Sequence, residues 1–192
     1  VSFTPTWITK EGKVNYNGSL GVYSPTDRTI TWTITANQMG ATLNGTYITD
    51  LLPAGLTLVS AKAQIKSGSD WIDMSPAREW SSAPADGNYQ LGDISAPILL
   101  TIVTSVPDAA YAVGITHYKN SAKIGWTGGP GNGIGTSSVD VGVGYNAISK
   151  TGVLDSRTGI VTWTVTVDTG NEKIPNLKVY DLLAYGKDSA AL

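Results

Sequence analysis

Side chains that carry most protein chemistry are scarce in this sequence. Its 192 residues include no cysteine and a single histidine, His117. Thiol nucleophiles, zinc-thiolate sites and disulfides are therefore excluded together, and a Ser-His-Asp triad or a multi-histidine metal site is hard to assemble. His117 reads as a surface or hydrogen-bonded strand residue. The only glutamates are Glu11, Glu79 and Glu172. A glycosidase could use two aspartates instead, but no aspartate pair has a context that singles it out. The run Asp168-Thr-Gly-Asn-Glu172 has too few ligands for a calcium loop and reads as a hairpin turn. The glycine-rich Gly128 to Gly135 lacks both a following Lys-Ser/Thr and a helix, so it is no phosphate cradle. No metal and no cofactor are expected.

The elements that must position any site are strands. Thr29 to Thr35 alternates polar and apolar residues strictly, and Ile160 to Val167 does so after its first two residues. Each such strand should lay one face on a core. Further strand-like runs are Leu56 to Ile65, Ile98 to Val106, Tyr118 to Trp126 and Val139 to Ile148, separated by Gly, Pro, Asn and Asp. No amphipathic helix stands out, although Ser75 to Trp80 is expected to form a short helical turn.

The chain also repeats itself. Ile30-Thr-Trp-Thr-Ile-Thr matches Val161-Thr-Trp-Thr-Val-Thr, and in each copy an aspartate followed by Leu-Leu comes 18 residues after the tryptophan, at Asp50 and Asp181. Upstream, Ile8-Thr-Lys10-Glu-Gly12 corresponds to Ile148-Ser-Lys150-Thr-Gly152. The pattern predicts a complete module over residues 1–138 and the opening of a second, homologous module over residues 139–192, cut off at Leu192. The glycine-rich stretch before that boundary is either a flexible connector or, the preferred reading, a long hairpin loop of module one. Because Trp32 and Trp163 hold equivalent places in alternating strands, both are expected in a core.

Composition sets limits on partners. With 13 Lys+Arg against 15 Asp+Glu the formal net charge is -2. No basic cluster offers itself to phosphates, so no nucleic-acid partner is expected. The longest apolar run, Ala96 to Val103, is interrupted by Pro97 and Thr101 and falls short of the roughly 20 residues a membrane span needs. With 41% hydrophobic and 15% charged residues the chain is a folded one. Having no disulfides, a secreted domain of this kind would depend on its core or on another covalent link.

Five ordered motifs carry a family resemblance: Ile8-Thr-Lys-Glu-Gly12, Ile30-Thr-Trp-Thr-Ile-Thr35, Ile48-Thr-Asp-Leu-Leu-Pro-Ala-Gly-Leu56, Leu91-Gly-Asp-Ile94 and Tyr118-Lys-Asn-Ser-Ala122. In this order they resemble the collagen-adhesin-type (MSCRAMM-like), isopeptide-forming modules of Gram-positive cell-wall adhesins. The resemblance implies an all-β, immunoglobulin-like sandwich of variant type. It also implies a spontaneous intramolecular isopeptide bond, with Lys10 as nucleophile, Asn120 as the amide attacked and Asp50 as the catalytic acid. A lysine attacks only as a neutral amine, a form that burial favours, and a buried, protonated aspartic acid can polarise the amide and relay protons as ammonia leaves. The ordinary alternative is a solvated Lys10, a turn-capping Asp50 and an unremarkable polar Asn120.

Module two repeats the pair as Lys150 and Asp181. The asparagines after Lys150, Asn171 and Asn176, both precede Asp181, so the acceptor is expected to be absent and Lys150 unlinked. The resemblance implies an extracellular, cell-wall-anchored protein, with its signal peptide and anchor outside this stretch, that performs no turnover beyond its own cross-link. Two roles are open. The modules either bind a matrix protein or a glycan, or act as stalk units that project a separate binding head beside neighbouring modules of the same chain. For binding, the Ser67 to Asn88 insertion with Trp71 and Trp80 is the first candidate surface, a hydrophobic plug beneath its own loop being the alternative. Tyr16, Tyr23 and Tyr47 invite a carbohydrate-stacking reading as well. A hydrolase with accessory sandwich domains is the third and weakest class. Collagen itself is not implied as the ligand.

Overall fold

Strict alternation produces the expected strands. The computed structural model describes residues 6–15, 28–107, 110, 114–131, 133–145, 148–167, 178–179 and 181. Eleven strands appear among them: β1 (Ile8–Asn15), β2 (Thr29–Ala36), β3 (Leu43–Asp50), β4 (Thr57–Ser67), β5 (Asp70–Trp80), β6 (Asn88–Ile94), β7 (Ile98–Ser105), β8 (Gly114–Gly125), β9 (Ile134–Tyr145), β10 (Ile148–Asp155) and β11 (Ile160–Val167). In β2 every second residue, Ile30, Trp32, Ile34 and Ala36, is fully buried, while the intervening threonines are half-buried.

Two antiparallel sheets, in the orders β1-β2-β7-β4-β5 and β6-β3-β8-β9, enclose one core. Reading β1, β2, β7 and β4 as A, B, E and D, and β3, β8 and β9 as C, F and G, gives the ABED and CFG sheets of an immunoglobulin sandwich. β5 and β6 are additions between C and E, one on the edge of each sheet. The chain is thus an all-β, immunoglobulin-like sandwich. Ile34 opposite Leu100 and Trp32 opposite Ile102 form the middle of one inner face. Ile48, Tyr89, Leu91, Ile124 and Val143 fill the other.

β1 closes the side of the sandwich. It pairs with β2, and its Lys10 backbone N–H donates to Ser137 Oγ on β9 at 2.9 Å. Gly12 makes this approach possible. A Cβ there would lie 2.5 Å from a Val141 methyl and 2.9 Å from the Trp32 ring, which sits opposite Gly12 in register.

Three expectations change. Ser75 to Trp80 is not helical but belongs to β5, because Arg78, Glu79 and Trp80 pair with Ala63, Lys62 and Ala61. The Ser67 to Asn88 excursion is accordingly mostly an edge strand, suited to its many charged and exposed residues. The expected module boundary at 138/139 falls inside β9, whose Val141 and Val143 are buried in the first core, and the Val139 to Ile148 run is shared between β9 and the start of β10. The glycine-rich stretch is the loop of the β8/β9 hairpin.

β10 and β11 form a separate two-stranded sheet that reproduces the β1/β2 register residue for residue, with Lys150 opposite Val165 and Gly152 opposite Trp163. Trp163 departs from expectation. It is 51% exposed where Trp32 is fully buried, because no second sheet faces β11 among the described residues.

Candidate functional site

Lys10, Asp50 and Asn120 all enter the interior. Alternation along β1 turns Lys10 inward between Ile8 and Gly12. Asp50 is the last residue of β3, held by its backbone N–H donating to Gly87 O at 2.8 Å, and it lies opposite Ala122 on β8. Asn120, two residues before Ala122, shares that strand's inner face and is 2% exposed. A strand from one sheet and two from the other therefore contribute one polar side chain each to an otherwise apolar core.

Lys10 Nζ forms a salt bridge with Asp50 Oδ2, and neither side chain retains any solvent exposure. The ammonium also lies 5.2 Å from the centroid of the Trp32 ring. Trp32 is fixed in turn by its indole N–H donating to Thr104 Oγ1 at 3.0 Å. Burial pushes the Lys10 pKa below its ordinary value, and the neighbouring Asp50 opposes that shift without cancelling it. The amine is thereby biased toward its neutral form.

The remaining polar atoms lack partners. Asp50 Oδ1 and both Asn120 side-chain atoms, Oδ1 and Nδ2, are buried without a hydrogen bond. Interiors seldom tolerate this, since each such group forfeits about 1–3 kcal/mol. Tyr89 adds a fourth member that sequence reading did not single out. It is fully buried with an unpartnered hydroxyl, and burial followed by the Asp50 charge raises its pKa. The alternation of Tyr89 with Leu91 in the sequence is a core signal that could have found it, but nothing in that signal points to Asp50.

The tryptophans of the insertion do not come together. Trp71 and Trp80 lie near opposite ends of β5, facing Lys66 and Ala61 of β4, roughly 17 Å apart along that strand. Trp71 is half-buried under Lys66, whose Nζ is 5.0 Å from its ring centroid. Trp80 packs edge-on against Tyr89 at 5.1 Å and leans on the core. His117 is an exposed strand residue with Nδ1 3.2 Å from Asp140 Oδ1.

In the second hairpin Lys150 is ion-paired with Asp181, and its Nζ lies 4.5 Å from the Trp163 ring centroid. These side chains keep 31% and 39% of their exposure, so this pair is wet where the first is dry. Tyr16, Tyr23, Asn171, Asn176 and the Asp168 to Glu172 run lie outside the described residues. Among the described residues no cluster of three or more metal-ligating side chains occurs, and no helix is long and apolar enough to cross a membrane.

No protein-family model and no curated protein sequence matches the chain. Solved structures do. The collagen-binding subdomain of the Enterococcus faecalis surface protein ACE is 11% identical, over 73% of this chain and 97% of that one, with a TM-score of 0.41. The collagen-binding domain of a Staphylococcus aureus adhesin is 11% identical, over 75% of this chain and all of that one, with a TM-score of 0.41. The collagen adhesin CNA of S. aureus is 9% identical, over 86% of this chain and 53% of that one, with a TM-score of 0.45.

Proposed function

We propose that this chain is a region of a bacterial cell-surface adhesin that binds an extracellular ligand, a matrix protein or a glycan, and that locks its first sandwich with an isopeptide bond between Lys10 and Asn120. One observation carries the cross-link. A dry Lys10/Asp50 pair shares the interior with an asparagine amide whose polar atoms are all unpartnered.

The chemistry follows from that arrangement. Passing the ammonium proton from Lys10 to Asp50 exchanges a buried ion pair for two neutral groups, which a low-dielectric interior favours. Asp50, now an acid, donates to Asn120 Oδ1 and makes Cγ electrophilic, and the Lys10 amine attacks it. A proton from Nζ is relayed through Asp50 to Nδ2. The Cγ–Nδ2 bond breaks, ammonia departs and the Nζ–Cγ amide remains. Atoms balance with no co-reactant, and the reaction runs once per molecule.

The product would join β1 of one sheet to β8 of the other. It would also relieve the site: Nδ2 is gone, and Oδ1 accepts from the Asp50 acid. Intact-mass measurement tests this. Wild type should fall short of its sequence mass by one ammonia, and Lys10→Ala, Asp50→Ala and Asn120→Ala should each restore the full mass. Folded wild type of unmodified mass would end the proposal.

A stalk role is the second reading, favoured by the residue-for-residue repetition of the β1/β2 register in β10/β11. Serial, cross-linked modules would resist tension while projecting a head. Extracellular display with anchoring to the cell wall belongs to either reading.

A further inference from the structure

The outer face of the four-stranded sheet carries an open groove of about 480 Å³, unrelated to the buried site. Its floor comes from the residues of β3 that point away from the core, Tyr47 and Thr49, with Asn88 of β6 on one side and Ser121 and Lys123 of β8 on the other.

Tyr47 leans across its neighbour on β8. It sits opposite Gly125, and a Cβ on that glycine would be 2.3 Å from Tyr47 Cζ and 2.5 Å from Oη. The hydroxyl end of the ring therefore lies across the bare backbone of Gly125, and Tyr47, partly exposed, lines the groove. Polar groups around it are already ordered. Thr49 Oγ1 donates to Asn88 Oδ1 at 2.6 Å, and Asn88 Nδ2 donates to Asp86 Oδ2 at 2.9 Å. The Asn88 backbone N–H holds the other Asp86 oxygen at 2.9 Å. Ser121 and Lys123 have no side-chain partner among the described residues. Spare acceptors thus lie on the β6 side of the ring and spare donors on the β8 side.

We propose that this groove binds an uncharged oligosaccharide, with one pyranose ring stacked on Tyr47 and its hydroxyls bridging Asp86 and Asn88 to Ser121 and Lys123. An aromatic face suits the C–H side of a sugar ring, and each sugar hydroxyl both donates and accepts, matching a lining that offers both. Asp86 and Lys123 cancel in charge, which disfavours acidic or basic ligands. A proline-rich peptide would also stack on Tyr47, but its imide nitrogens carry no N–H and would leave the acceptors of Asp86 unserved. The inference deepens the ligand-binding half of the proposed function and does not depend on the cross-link.

The test is a titration of the ¹⁵N-labelled chain, followed by amide shifts, with cellotetraose, maltotetraose, chitotetraose and a β-galactan tetrasaccharide, and with decaproline as the peptide probe. Concentrations up to about 10 mM reach the affinity expected of a single stacked sugar. At least one tetrasaccharide should shift the amides of Tyr47, Thr49, Asn88 and Lys123. Tyr47→Ala should weaken that binding at least tenfold, Tyr47→Phe should retain most of it, and Lys123→Ala should weaken it several-fold with an unchanged spectrum of the free protein. Shifts from none of the four sugars, shifts from decaproline alone, or an unaltered affinity in Tyr47→Ala would each overturn the proposal. The intact mass of the same sample reports separately on the cross-link, so either idea can fail without the other.

Discussion

Asn120→Ala is the substitution whose outcome has opposite signs with and without the cross-link. If Asn120 is an unreacted side chain, its Oδ1 and Nδ2 are buried polar atoms with no partner. Removing them relieves about 1–3 kcal/mol of uncompensated desolvation for each, against a smaller loss of packing. The variant would then be as stable as wild type or more so. If Asn120 is joined to Lys10, the bond closes a loop of about 110 residues, and chain entropy assigns such a closure about 5 kcal/mol. The variant would lose that constraint and bring back a buried ion pair. For a domain of this size the loss lowers the melting temperature by roughly 10–20 °C.

The assay is calorimetric melting of both proteins at one pH, with intact masses taken from the same samples. Asn120→Ala suits it better than Lys10→Ala, which would leave Asp50 as a lone buried charge and destabilise the protein on either account. An unchanged or raised melting temperature in Asn120→Ala, with no ammonia missing from wild type, would refute the reasoning.

Equivalent positions in the two hairpins should respond differently. Trp32→Ala should cost about 3–5 kcal/mol in urea unfolding, whereas Trp163→Ala, at a half-exposed ring, should stay within about 0.5 kcal/mol. Gly12→Val meets Val141 and Trp32 inside the core and should cost about 1–3 kcal/mol or more in the same assay. At Gly152→Val the nearest atoms belong to the exposed Trp163 ring, which can swing aside, so little change is expected. The unlinked Asn120→Ala variant should gain stability with rising pH between the lowered Lys10 value and its ordinary 10.5, because there the unfolded chain holds a proton that the folded chain has released. Lys10→Met in that background should abolish the gain, while the opposing loss from Tyr89, whose pKa is raised, persists in both; a gain that survives Lys10→Met would assign it to another group.

Much of this fold was legible because its signals are local. Strict alternation in Thr29 to Thr35 is enough to turn Ile30, Trp32 and Ile34 to one side, and the structure buries all three. The Ser75 to Trp80 segment misled for the complementary reason. An edge strand with one face in water needs few apolar residues, so Met74 is the one buried residue of β5, and pairing with β4 rather than patterning makes it a strand. Trp163 shows the limit in another form. Its sequence neighbourhood is that of Trp32, but burial is a property of what lies opposite, and the described residues hold no sheet against β11.

The candidate site divides along the same line. Lys10, Asp50 and Asn120 could be named from ordered motifs, yet their shared burial depends on β1 folding under β8 and β9, a contact between residues more than a hundred positions apart. Gly12 is where the two levels meet. It lies opposite Trp32, so its missing side chain leaves room for the ring that lies beside the Lys10 ammonium, and the same absence lets Val141 of β9 close over β1. The Gly12/Trp32 pairing recurs at Gly152 and Trp163, where Lys150 again lies over the ring. The lysine-tryptophan-aspartate geometry therefore belongs to the hairpin and its partner aspartate and precedes burial. What distinguishes the first hairpin is the covering sheet β6-β3-β8-β9, beneath which the Lys10 and Asp50 side chains lose all solvent exposure while Lys150 and Asp181 keep part of theirs.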